Sequence, residues 1–140
     1  MILYNDTWAD FPTVTAQQKG VTRGGHFYTK PEVKAAHDWF KWKFASSFPK
    51  RSEFPDKEKA FRVCIHFHYR HSKKKFWGKP KITRPDVDNQ TKIILDSITH
   101  SHLIWWDDSQ VTELIVCKSY SMSSYIQISI ADIESEGDRQ

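Results

Sequence analysis

Residues 60–70 read AFRVCIHFHYR. Phe61, Val63, Ile65, Phe67 and Tyr69 fall on one side of an extended chain, and Arg62, Cys64, His66, His68 and Arg70 on the other. Side chains along a strand alternate with period two, so this stretch predicts a β-strand with one apolar face. On either side the period changes. Upstream, Thr29-Lys30-Pro31-Glu32 predicts a helix start, with Thr29 as N-cap, Glu32 completing a capping box and Pro31 in the first turn. That helix is expected to run to about Phe48, with Val33, Ala36, Phe40 and Phe44 on one stripe, and Pro49 stops it. Downstream, a second helix is predicted from Asp88 or Asn89, its apolar face made by Ile94, Leu95 and Ile98. A short apolar piece, LIWW (103–106), leads to further strands at about 111–119 and 124–131. Residues 11–28 hold short β-type pieces around Arg23-Gly24-Gly25 that predict a hairpin. The order β, α, β, α, β, β gives an α+β fold: a small mixed β-sheet with two helices.

A chain of 140 residues is long enough for one domain with its own core and short for two. Residues 1–130 are read as that domain, and 131–140 as an acidic, frayed tail. With 39% hydrophobic and 27% charged residues, the composition is that of a soluble globular protein. No apolar run approaches the roughly 20 residues that span a bilayer, which excludes a helical membrane protein. MILYNDTWAD has no basic region followed by an apolar block, so no secretory signal is expected. Cys64 and Cys117 lie in predicted strands without CxxC spacing, which predicts reduced core thiols and a cytoplasmic location. The last ten residues carry a net charge of −3 against +4 for the whole chain, leaving +7 on residues 1–130. A basic body of this kind suits a polyanionic partner or simple solubility.

The acids narrow the choice. Arg84-Pro85-Asp86-Val87-Asp88-Asn89 sits where an extended segment is expected to enter a helix. In an extended D-x-D, residues two apart point to one side, so Asp86 and Asp88 can face one cation. Mg²⁺ prefers oxygen ligands and keeps several waters, so a few carboxylates and a substrate phosphate suffice. Asp107-Asp108, at the head of the next strand, offers a third acid. Such a trio fits phosphodiester cleavage. The same residues also fit a helix N-cap at Asp88 and a turn at Asp107-Asp108. Lys92, four residues after Asp88 and four before Asp96, shares a helix face with both. It reads either as a phosphate-side cation or as an ordinary partner of Asp96.

Here the sequence resembles the RusA family of Holliday-junction resolvases. The stretch 84–119, RPDVDNQTKIILDSITHSHLIWWDDSQVTELIVCKS, is similar to the family signature: R/K-P-D-x-D-N-x-x-K at a helix start, an aromatic before Asp-Asp-x-Gln, and a strand ending in Lys. The resemblance covers about residues 60–130, with a weaker echo in PTVTAQQK (12–19). It implies a RusA-like, dimeric fold and a bacterial or phage-infected host. Its activity would be Mg²⁺-dependent, with Mn²⁺ as a substitute, nicking opposed strands of a four-way junction. It implies Asp86, Asp88 and Asp108 as metal-binding catalytic acids, Lys92 as a further catalytic residue and Asp107 as an accessory acid. Gln90 and Trp106 depart from the pattern, which usually has a hydrophobic residue after the Asn and a smaller or polar one before the Asp pair.

Residues 71–85, HSKKKFWGKPKITRP, are read as a basic loop or hairpin tip, with Gly78-Lys79-Pro80 at its turn, directly upstream of the acids. Lys73, Lys74, Lys75, Lys79, Lys81 and Arg84 are the expected DNA contacts. Phe76 and Trp77 are read either as base-stacking residues or as loop anchors. His66, His68 and His71 do not make up a structural zinc set, because the cysteines are isolated. Most of the six tryptophans are expected in the core or a dimer interface. Two rival readings stand beside the nuclease: a non-catalytic branched-DNA-binding protein of the same fold, and a D-x-D metal enzyme acting on nucleotides. The second lacks a glycine-rich phosphate cradle, since Gly24-Gly25 is too little.

Overall fold

A computed structural model describes residues 2–13, 19–21, 24–25, 27–29, 31–48 and 55–133. The 60–70 stretch forms strand β4 (Ala60–Arg70), and its five alternate apolar residues are all buried. It is a central strand. Its neighbours are β5 (Val111–Ser121), which runs parallel to it, and β6 (Tyr125–Ile133), which runs antiparallel. On the far side of β6 lies β1 (Ile2–Ala9), giving the sheet order β1-β6-β4-β5. Parallel strands need a crossover connection. Helix α2 (Val87–Ser101) supplies it between β4 and β5, while α1 (Pro31–Ser47) packs beside α2.

One face of the sheet carries the core. Phe61, Val63, Ile65 and Phe67 meet Ile126, Ile128 and Ile130 of β6, all essentially without exposure. The predicted stripe of α1 is buried, and Phe40 and Phe44 lie against the rings of Tyr4 and Trp8 on β1. Helix α2 buries Ile93, Ile94 and Ile98, with Leu95 at its margin. Trp105 closes one end of the core over Phe61. The predicted hairpin is present as β2 (Lys19–Val21) paired with β3 (Phe27–Thr29), and Gly25 takes the positive φ of its turn. The expected Thr29 capping box lies outside the described side chains.

Several expectations change. The N-terminal segment, to which the sequence pattern assigned no element, is a full strand. Leu3, Tyr4 and Trp8 face inward, and the polar run Asn5-Asp6-Thr7 masks their pattern; the register with β6 also shifts between Ile2 and Tyr4. Strand β6 continues to Ile133, into the segment expected to be tail, and residues 134–140 lie outside the described residues. The cysteines are not core thiols. Cys64 is half-buried and Cys117 exposed, both on the face of the sheet opposite the helices. Parity explains this, since both fall on the polar side of their strands. Only Trp8 and Trp105 of the six tryptophans are fully buried, while Trp42 and Trp106 are exposed.

Gln90 is fully buried near the start of α2. Its Nε2 donates to the Pro12 carbonyl at 2.7 Å and so ties the chain after β1 to the helix, while its Oε1 has no partner among the described residues. An unpaired buried oxygen costs about 1–3 kcal/mol, more than one such hydrogen bond returns. Gln90→Leu is therefore expected to raise unfolding free energy by about 1 kcal/mol in urea titration. A loss of stability would show that the Pro12 tether is the larger effect.

Candidate active site

The chain enters α2 through Thr83, Arg84 and Pro85, with a cis Arg84–Pro85 peptide. Asp86 is the N-cap, with extended backbone (φ −70°, ψ 141°), yet its side chain makes no capping hydrogen bond. Val87 begins the helix, and Asp88 lies in its first turn. The aspartates are thus not the two ends of an extended D-x-D. The chain turns helical between them, so Asp88 follows the helix and shares a face with Lys92 and Asp96 at four-residue spacing. These three, with Asp108, line a cavity of about 430 Å³ whose apolar walls include Val87, Leu95, Leu114 and Val116. Asp86 is exposed at the helix entrance and is not among the lining residues. Lys92 and Asp96 form no ion pair among the described residues, so the ordinary helix-pair reading of Lys92 finds no support there.

Asp108 reaches the cavity through a short 3₁₀ turn, Asp108–Gln110, at the head of β5. Gln110 organises that turn. Its Oε1 accepts from the backbone N–H groups of Trp106 and Asp107, and its Nε2 donates to the carbonyls of Asp56 and Lys59. One side chain thereby ties the Asp-Asp turn to the segment leading into β4. Asp107 is engaged locally, accepting from the Ser109 hydroxyl at 2.6 Å. Asp108 has no such structural duty among the described residues and turns into the cavity.

The cavity is electrostatically tense. Partial burial, then the neighbouring charges of Asp107 and Asp96, raise the Asp108 carboxyl above its ordinary range; Lys92 opposes them. No three acids among the described residues are gathered tightly enough to make a finished metal cage. The donor set nonetheless fits Mg²⁺: oxygen ligands only, and like charges a divalent cation would relieve, for an ion that commonly takes one or two protein carboxylates plus water and phosphate.

The basic loop is latched to the sheet beside this site. Gly78, with φ of 85°, turns it back, and residues 78–81 hydrogen-bond to the end of β5 through Gly78 N–H to Tyr120 O, Tyr120 N–H to Lys79 O and Lys81 N–H to Lys118 O. Phe76 and Trp77 are half-buried anchors. Phe76 packs on His71 and Tyr120, and Trp77 Nε1 donates to the His71 carbonyl at 2.8 Å. Lys73, Lys74, Lys75, Lys79 and Arg84 are exposed. Lys81 is half-buried, with its ammonium over the rings of Tyr69 and Tyr120.

A family model for the endodeoxyribonuclease RusA matches residues 10–131, most of the described sheet and both helices. The chain belongs to the RusA endodeoxyribonuclease family. A 51-residue stretch is also 43% identical to the uncharacterized protein YqaN of Bacillus subtilis (strain 168), covering 36% of this chain and 34% of that protein. The chain thus matches about a third of that relative's length. Within this RusA-family fold, Gln110 and Lys118 hold positions that composition and spacing alone did not single out. In the sequence Gln110 is only one letter of a signature, and its hydrogen bonds depend on residues brought together by folding.

The histidines lie elsewhere. His66 and His68 stack on the open face of the sheet with Tyr125 and hydrogen-bond to Ser119 and Gln127. They do not join the acids.

The raised carboxyl of Asp108 makes a thermodynamic prediction. Its ionised form is less favourable folded than unfolded, so the penalty is present above the folded pKa and absent below the unfolded one. Metal-free Asp108→Asn should melt at a higher temperature than wild type at pH 7, and the gap should close below about pH 4. Added Mg²⁺ should raise the melting temperature of wild type more than that of the variant. Equal melting temperatures at pH 7 would show that ionised Asp108 carries no net penalty in the folded state.

Proposed function

We propose that this RusA-family protein is a divalent-metal-dependent nuclease that resolves four-way DNA junctions by paired nicks. The observation that carries the reading is the cavity where Asp88, Lys92 and Asp108 converge from α2 and the head of β5, beside a latched basic loop. Asp88 and Asp108 are the proposed ligands facing the cavity, with Asp86 joining from the helix entrance and Asp107 as accessory acid. Mg²⁺, or Mn²⁺ in its place, would polarise the phosphodiester, activate water and neutralise the leaving oxygen. Lys92, exposed at the cavity, is placed to balance negative charge as it develops on the phosphate. Lys73, Lys74, Lys75, Lys79, Lys81 and Arg84 hold the DNA backbone and bring it to the acids. Paired nicks on opposed strands need two such sites, so the acting form is proposed to be a homodimer. No described helix is long and apolar enough to cross a membrane, and the DNA it is proposed to act on is cytoplasmic.

Labelled four-way junction, fork and linear duplex, each incubated with Mg²⁺ or EDTA, test the assignment. Symmetric nicks in the junction with Mg²⁺ and none with EDTA are expected. Metal-dependent binding without nicks would favour the alternative of a non-catalytic branched-DNA-binding protein. Asp88→Asn is expected to abolish cleavage while leaving junction binding intact, and full cleavage by that variant would remove Asp88 from the ligand set. Replacing Lys73, Lys74 and Lys75 together by Gln should weaken binding and flatten its salt dependence. The log–log slope should fall by up to about 0.9 for each phosphate that is no longer neutralised. An unchanged slope would take this loop out of the interface.

A further inference from the structure

Lys118 is a cation bonded to neutral backbone. Its ammonium donates to the Thr83 carbonyl at 2.6 Å and to the Pro85 carbonyl at 2.7 Å. Lys118 is half-buried and pairs with Phe67 in the β4–β5 register, which puts it on the helix side of β5. Leu114 and Val116, earlier in the same row, are walls of the acidic cavity. Among the described residues Lys118 has no carboxylate partner. Holding a long side chain in one geometry costs rotamer freedom, and an apolar residue here would simply extend the row. The ammonium instead grips the two carbonyls flanking Arg84, and the next residue is Asp86. The Asp86 side chain makes no capping bond. Its placement therefore depends on how firmly the backbone before it is held.

We propose that Lys118 is a positioning residue for the metal site: by clamping the carbonyls of Thr83 and Pro85, it fixes the backbone from which the Asp86 carboxylate reaches toward the cation of Asp88 and Asp108. Lys118 acts through the protein backbone and does not touch DNA. The inference rests on the metal-dependent reading above, and the two can fail separately.

Mn²⁺ binding without DNA, read from the paramagnetic resonance of free Mn²⁺, is the primary measurement. Lys118→Met is expected to weaken it by about tenfold, the scale typical of removing outer-shell support from a metal ligand. The Mg²⁺ concentration for half-maximal junction cleavage should rise in parallel, amide exchange at residues 83–88 should quicken, and metal-free junction affinity should stay the same. Lys118→Arg, whose guanidinium can donate to both carbonyls, should recover much of the Mn²⁺ affinity. Should the Met variant fail to fold, Lys118→Gln, which keeps a donor but loses charge and reach, serves in its place with the same expectations. Unchanged Mn²⁺ affinity and Mg²⁺ requirement in the folded variant would overturn the inference. So would weaker junction binding with a flatter salt dependence, which would make Lys118 a phosphate contact. Metal-independent cleavage by wild type would instead overturn the reading of the site itself.

Discussion

The parallel pairing of β4 with β5 is the constraint on which the rest depends. Two parallel strands cannot be joined by a tight turn, so the chain must leave the end of β4, cross one face of the sheet and return to the start of β5. That path is occupied by the basic loop, α2 and the Asp107-Asp108 turn. Laying α2 along β5 brings Asp88, Lys92 and Asp96 over Leu114 and Val116, with Asp108 arriving at the head of the strand. The apolar residues of α2 and β4 supply the driving force, because Phe61, Val63, Ile65, Ile93, Ile94 and Ile98 are buried together. The acids ride on a crossover that the core requires in any case.

Partly burying Asp108, beside other acids, works against stability, and its raised carboxyl registers the conflict. Two devices hold the arrangement. Gln110 uses one amide to join the Asp-Asp turn to the approach to β4. Lys118 uses its ammonium to join the entrance of α2 to β5 by backbone carbonyls. Neither quenches the negative charge of the cavity by direct pairing, so an anionic field remains for a cation to answer. The basic loop beside it, pinned by Phe76, Trp77 and Gly78, presents charge of the opposite sign from a braced support.

The sheet is asymmetric in use. Its helix-covered side holds the core and the acids. Its other side carries Arg62 paired with Glu113, the stacked His66 and His68, Cys64 and the exposed Ile115 and Cys117. Period-two alternation in one strand separates the two sets, so a single stretch of sequence feeds both.

Amphipathic period alone determined β4, the buried stripe of α1 and most of α2, because each carries its own apolar face within a few turns or pleats. The cavity acids and the position of the basic loop were likewise legible in residues 71–108. Other features needed the folded chain. Strand β1 escaped notice because Asn5, Asp6 and Thr7 interrupt its apolar pattern, and only pairing with β6 makes it a strand. The geometry of Asp86 and Asp88 differed from an extended pair because the helix starts between them, a choice made by packing of α2 against the sheet. The clamping roles of Gln110 and Lys118 rest on contacts between residues tens of positions apart, and the cavity that Asp108 lines exists only once α2 lies over β5. Local sequence encodes what a segment can form. Only the long-range pairing of β4 with β5 decides which carboxylates meet.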